Sequence, residues 1–102
     1  MLDKNTGNLL LDFYGDLLTE HQLEILDDYF KDDLSMIEIA DNRSISKAAV
    51  SDIIKRSIIQ LQDYEDKLKL ISQSEKLDKI VNELKKSGNE ALANKLNNII
   101  RR

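Results

Sequence analysis

None of the 102 residues is proline and only three are glycine, so almost nothing in this chain interrupts a helix. The apolar residues recur at three- and four-residue intervals rather than in alternation, which is the helical period and not the strand period. Leu10, Phe13, Tyr14, Leu17 and Leu18 set such a stripe, with Asp12 and Asp16 on the other side. An all-α fold follows, and the remaining question is where each helix starts and stops.

Capping residues supply the punctuation. Thr19-Glu20-His21-Gln22 and Ser35-Met36-Ile37-Glu38 both read as capping boxes, in which the hydroxyl and the Glu or Gln satisfy each other's backbone N–H groups. The first opens a helix with Leu23, Leu26 and Phe30 on one stripe. The second opens a short helix containing Ile39 and Ala40, followed by a turn-prone Asp41-Asn42-Arg43-Ser44. Ser46 then caps a long helix with no evident break before Ser72, roughly 24 residues or about 36 Å. Ser72 with Glu75 opens the next helix, on Leu77, Ile80, Val81 and Leu84, which closes at Gly88. Asn89 caps a last amphipathic helix carrying Leu92, Leu96, Ile99 and Ile100. About six helices are expected: a helix-turn-helix domain over residues 1–71 and a two-helix tail over 72–102.

Composition removes several function classes. No Cys means no disulfide, thiolate nucleophile or thiolate metal site, and a single His excludes a multi-histidine metal site within one chain. The longest apolar runs are three residues, so neither a membrane span nor a signal peptide is expected, and the cytoplasm is the expected location. His21 lies among Glu20, Gln22 and Glu24, with no nucleophile indicated beside it. Asp27-Asp28 and Asp32-Asp33 lack the spacing and glycine of a calcium loop and read as a solvated helix face and its end. No phosphate-binding glycine loop is present. The expectation is a protein that is not an enzyme, with no catalytic residue, metal or cofactor.

The informative stretch is residues 35–55. A short capped helix, a turn holding Ile45, and a second helix with Val50 and Ile53 or Ile54 surround the small Ala40, where two helices must approach closely. These offsets describe a helix-turn-helix. Charge is distributed unevenly around it. Residues 1–42 carry two Lys against eleven acidic side chains, a balance of −9, whereas residues 43–102 carry thirteen basic against eight acidic, a balance of +5.

A wider set of motifs runs in order along residues 9–70. Phe13-Tyr14-Gly15, Leu17-Leu18-Thr19, Gln22, Tyr29-Phe30, Asp33-Leu34-Ser35, Glu38-Ile39-Ala40, Ile45-Ser46, Ala49-Val50, Asp52, Lys55-Arg56 and Tyr64-Glu65 resemble the YlxM-like proteins. These are small helix-turn-helix proteins of Gram-positive bacteria and mycoplasmas, similar to the DNA-binding region 4 of sigma factors. The resemblance implies a sigma-region-4-like bundle with additional C-terminal helices. It also implies a regulatory or accessory role near the signal recognition particle, because the family's genes lie beside those of that particle's GTPase and receptor.

Carried onto this chain, the motif makes Arg43, Ser46, Lys47, Ser51, Lys55 and Arg56 the candidate DNA contacts. Arg43, Lys47, Lys55 and Arg56 supply charge, Ser46 and the helix N-terminus offer N–H groups to a phosphate, and Ser51 reaches toward base edges. Asp52, the acidic preceding helices and a pI near 4.9 favour the alternative, a helix-turn-helix that docks a protein or the particle itself. Ser44 also stands where this motif usually has glycine. Finally, Ile54, Ile58, Leu61, Tyr64, Leu68 and Ile71 are spaced 4, 3, 3, 4, 3, close to a heptad seam. Either the tail helices of the same chain cover this seam or it is the interface of a homodimer, which is the expectation adopted. DNA and components of the signal recognition particle are the expected partners, and no membrane.

Overall fold

The computed structural model of the chain describes residues 2–100. Among them are six α-helices and one 3-10 turn, with no strand: α1 (Lys4–Tyr14), the 3-10 turn Gly15–Leu17, α2 (Glu20–Phe30), α3 (Met36–Arg43), α4 (Lys47–Leu68), α5 (Leu70–Lys86) and α6 (Glu90–Ile100). Two compact units divide between Leu68 and Lys69, three residues before the expected boundary.

The first unit is α1–α4. Its helix starts follow the caps read from sequence: Thr19 with Gln22 and Ser35 with Glu38 form complete capping boxes, and the Ser46 hydroxyl accepts from the Ala49 N–H at 3.0 Å. Asp3 adds an unforeseen cap, accepting from the Thr6 N–H at 2.7 Å. Leu10, Leu11 and Tyr14 of α1, Ile25, Leu26 and Phe30 of α2, Ile39 and Ala40 of α3, and Val50, Ile54, Ile58 and Leu61 of α4 make one core. Gly7 lets α1 close on α2: a Cβ there would lie 2.2 Å from a ring carbon of Phe30.

Polar contacts fix the register of this unit. Gln22 closes its capping box through Oε1 and donates from Nε2 to the buried Ser57 hydroxyl and to Gln60 Oε1, both at 3.1 Å. One side chain thereby ties the start of α2 to the middle of α4. The buried Tyr14 hydroxyl donates to Glu65 Oε1 at 2.6 Å, joining α1 to the last third of α4. The Lys4 ammonium lies 3.7 Å from the Tyr29 ring centroid, donates to the Tyr29 carbonyl and pairs with Asp33 at 3.3 Å.

Three expectations are corrected here. Residues 41–43 continue α3 instead of forming a turn, and Ser44 ends the helix in the left-handed region (φ 57°). The long helix stops at Leu68 because Lys69 is left-handed (φ 54°), so Ser72 lies inside α5 and caps nothing. The heptad-like stripe is mostly an internal surface: Ile54, Ile58 and Leu61 are buried within the chain, Tyr64 and Ile71 are half-buried, and Leu68 is exposed. Spacing of 3 and 4 marks a buried helix face, and α1–α3 occupy most of this one.

The second unit is the hairpin α5–α6. Gly88 (φ 86°) turns the chain, with its N–H on the Lys85 carbonyl at 3.2 Å and the Asn89 N–H on the Leu84 carbonyl at 2.9 Å. This paired closure is the one Gly88 was expected to make. Val81 and Ala93 are buried and Leu77, Leu84 and Leu96 half-buried, whereas Ile80, Leu92 and Ile99 are exposed. The side chain of Ile100 lies outside the described part. No helix among the described residues is long and apolar enough to cross a membrane.

Candidate nucleic-acid interface

The site is the first half of α4, and its geometry follows from the turn before it. Ser44 adopts a conformation that glycine reaches without a Cβ penalty. Its backbone N–H and that of Ile45 both return to the Ala40 carbonyl, the latter at 3.1 Å. Ile45 is half-buried, and Ser46 then starts α4. Val50 and Ile54 are fully buried against α2 and α3. The opposite face therefore turns outward, with Lys47, Ala48, Asp52, Lys55 and Arg56 exposed and Ser51 half-buried.

The six candidate contacts separate into two groups. Ser46, Lys47, Ser51 and Lys55 lie along the open start of α4. Among the described residues, Lys47 and Lys55 make no ion pair, so both ammonium groups are available to a ligand. Ser46 is engaged as the cap, but its hydroxyl proton still has a donor's freedom. Arg56 is exposed but pairs one turn back with Asp52 at 3.1 Å, which cancels the charge of both on this face.

Arg43 is in a different environment. Its Nε and Nη2 donate to the two carboxylate oxygens of Asp28 at 2.7 and 3.2 Å, and Nη1 donates to Glu24 at 3.0 Å. The hydrogen bonds to Asp28 hold the guanidinium pKa above its ordinary value. Arg43 thus fastens the end of α3 to α2, with its guanidinium engaged by both carboxylates. Sequence reading missed this clasp, although Glu24 and Asp28 stand four apart on one helix face, the spacing that lets two carboxylates share one cation. Asp28 is accordingly part of the fold and not of a solvated face. Asp27 is half-buried too, with one carboxylate oxygen buried and unpaired, and burial raises its pKa.

No group of three or more His, Cys, Asp or Glu side chains suited to a metal ion occurs among the described residues. A cleft of about 210 Å³ in the hairpin, lined by Asp78, Val81, Asn82, Lys85 and Asn97, has no nucleophile beside a base.

Residues 2–99 match the model of the family UPF0122, described as "Putative helix-turn-helix protein, YlxM / p13 like". The chain is 50% identical over 70 residues to the UPF0122 protein of Malacoplasma penetrans, covering 69% of this chain and 65% of that protein. It is 49% identical over 71 residues to that of Clostridium kluyveri, covering 70% and 64%. With the UPF0122 protein of Halalkalibacterium halodurans it shares 44% identity over 88 residues, covering 85% and 81%. The matched part thus spans slightly less than two thirds of the length of the first two relatives. With nearly its whole length matched by the family model, and the helix-turn-helix in place over α3 and α4, the chain belongs to the UPF0122 family.

Proposed function

We propose that this chain is a regulatory rather than catalytic protein that binds duplex DNA through the N-terminal half of α4. The observation that carries the reading is the two-sided start of that helix. Val50 and Ile54 anchor it in the core, while its Ser46-capped end and the outward Lys47, Ala48 and Lys55 stay uncovered, with Ser51 half-buried beside them. A helix held in this way enters a major groove by its N-terminal end, with phosphates taken by Lys and backbone N–H groups and bases read by short polar side chains. The family resemblance supplies the setting, a regulatory or accessory role beside the signal recognition particle.

The clasp at Arg43 and the pair at Asp52–Arg56 make the electrostatics quantitative. Two unpaired lysines, not four cations, face the ligand. The logarithm of the binding constant should fall with the logarithm of salt with a slope of about −2, against about −3.6 for four phosphate contacts. Fluorescence anisotropy of the full chain on genomic duplex fragments, titrated across salt concentrations, measures it. Lys47→Glu with Lys55→Glu should abolish binding while helicity and thermal stability stay near wild type. Unchanged binding by a folded double variant would remove this face from the interaction.

One observation favours a second reading. Ile59, 59% exposed, lies one turn beyond Lys55 on the same outer face, where an apolar group suits a protein surface better than a phosphate backbone. Absence of DNA binding at low salt, with capture of signal recognition particle protein or RNA that Lys55→Glu and Ile59→Asp both weaken, would replace DNA by that partner.

A further inference from the structure

The α5–α6 hairpin is too small to be stable alone. It spans 34 residues, and a unit of fewer than about 40 generally needs disulfides, a metal or association. The chain has no Cys, and the described residues offer no metal cluster, which leaves association. The hairpin also presents a specific surface. Leu92 (55% exposed) and Ile99 (65% exposed) lie seven residues apart on the outer side of α6, with the exposed Lys95 between them.

A matching surface of opposite charge lies on the first unit. Leu9 and Phe13 are exposed one turn apart on α1, and the exposed Asp16 follows one turn after Phe13. Of the six acidic side chains of residues 5–30, Asp12 pairs with Lys31 and Glu24 and Asp28 pair with Arg43, whereas Asp16 stands outside every ion pair among the described residues; residues 69–102 contain eight basic and four acidic side chains. Two hairpins facing each other would repel, as would two α1 faces. A hairpin facing an α1 face attracts.

We propose that the chain forms a reciprocal homodimer in which the Leu92–Lys95–Ile99 face of each copy packs on the Leu9–Phe13–Asp16 face of the other. The same contact is made twice about a two-fold axis, so the assembly closes. It differs from the heptad-like stripe of α4, most of which is core, and it does not depend on the DNA-binding reading.

The test is the mass of the full-length chain by light scattering from low micromolar to near-millimolar concentration, with circular dichroism alongside. A dimer is expected. Asp16→Lys or Lys95→Glu alone turns two attractions into two repulsions and should weaken the dimer roughly tenfold, both positions being exposed and the helices intact. Mixing the two variants should restore it. In the mixed dimer one contact pairs the introduced lysine with the introduced glutamate, and the other pairs the native Asp16 with the native Lys95. A monomer at every concentration, a dimer indifferent to both substitutions, or a mixture no tighter than its components would overturn the proposal. So would a monomer whose thermal stability falls in each single variant and recovers when both changes are made in one chain, since that places the contact within one copy.

Discussion

Replacing Arg43 distinguishes a residue that holds the turn from one that holds a ligand. The guanidinium makes a two-pronged bond to Asp28 and a third bond to Glu24. Its side chain is 28% exposed and that of Asp28 only 14%. Fully exposed ion pairs contribute under about 1 kcal/mol, and breaking fully buried ones costs about 3–5 kcal/mol. This pair lies between the limits, and Arg43→Ala leaves the Asp28 carboxylate shielded from water without a partner, which puts the loss at about 2 kcal/mol. Glu24, 47% exposed, adds little to that figure. Urea unfolding of Arg43→Ala, Asp28→Ala and the double variant should give a coupling energy of about 1.5 kcal/mol, and the thermal midpoint of the single variant should fall by about 10 °C. Arg43→Lys should recover less than half, since an ammonium cannot make the planar fork. DNA affinity, measured where both proteins are folded, should hardly change. A coupling below about 0.3 kcal/mol, or a stable Arg43→Ala protein that has lost DNA binding, would refute the clasp as the role of this side chain.

Three further outcomes follow from the geometry of the first unit. Ser44→Gly should stabilise the fold by up to about 1 kcal/mol in denaturant titration, because a left-handed backbone strains a side chain and not a glycine; a loss would show that the Ser44 hydroxyl has a role of its own. Gly7→Ala should cost about 1–3 kcal/mol through the collision with Phe30, and Phe30→Leu in the same chain should cost less than it does alone. Asp27→Asn should stabilise the protein at neutral pH. Burial raises the folded-state pKa of Asp27 above the unfolded value of 3.8, so stability falls as pH rises through the folded pKa, and the advantage of Asn should vanish below pH 3.8. An advantage that persists at lower pH would mean that charge is not its source.

Most of the fold was legible because its signals are local. A cap and its helix lie within four residues of each other, and Thr19, Ser35 and Ser46 each open the helix that their hydroxyls announced. Gly88 ends α5 for the same reason. Two misplaced ends, at Arg43 and Leu68, are those where Ser44 and Lys69 adopt left-handed backbone that their residue types do not advertise, and the first stripe, read through Leu18, gives way to a 3-10 turn after Tyr14. The α4 stripe was visible as a pattern, but its partner was not. A 3-and-4 spacing gives the direction of a buried face, whereas Ile54 and Leu61 meeting α1–α3 is a tertiary fact.

The candidate site shows the same division in its charges. Sequence counts the cations near the helix-turn-helix; only the fold says which are already bound. Arg43 and Arg56 look equivalent to Lys47 and Lys55 along the chain, yet both arginines are engaged with carboxylates of their own protein and both lysines are open. The arginine fork suits a fixed carboxylate partner, and the lysine ammonium, a point charge on a flexible stem, suits a ligand whose phosphates are not yet in place. The acidic front of the chain then has a structural explanation in part. Glu24 and Asp28 hold the helix that carries the turn, Asp12 and Asp33 pair with Lys31 and Lys4, and Lys47 and Lys55 in the first half of α4 stay outside these pairs. A low overall pI is therefore compatible with a small positive surface at the start of α4, because the charges that set the pI and those exposed there are different residues.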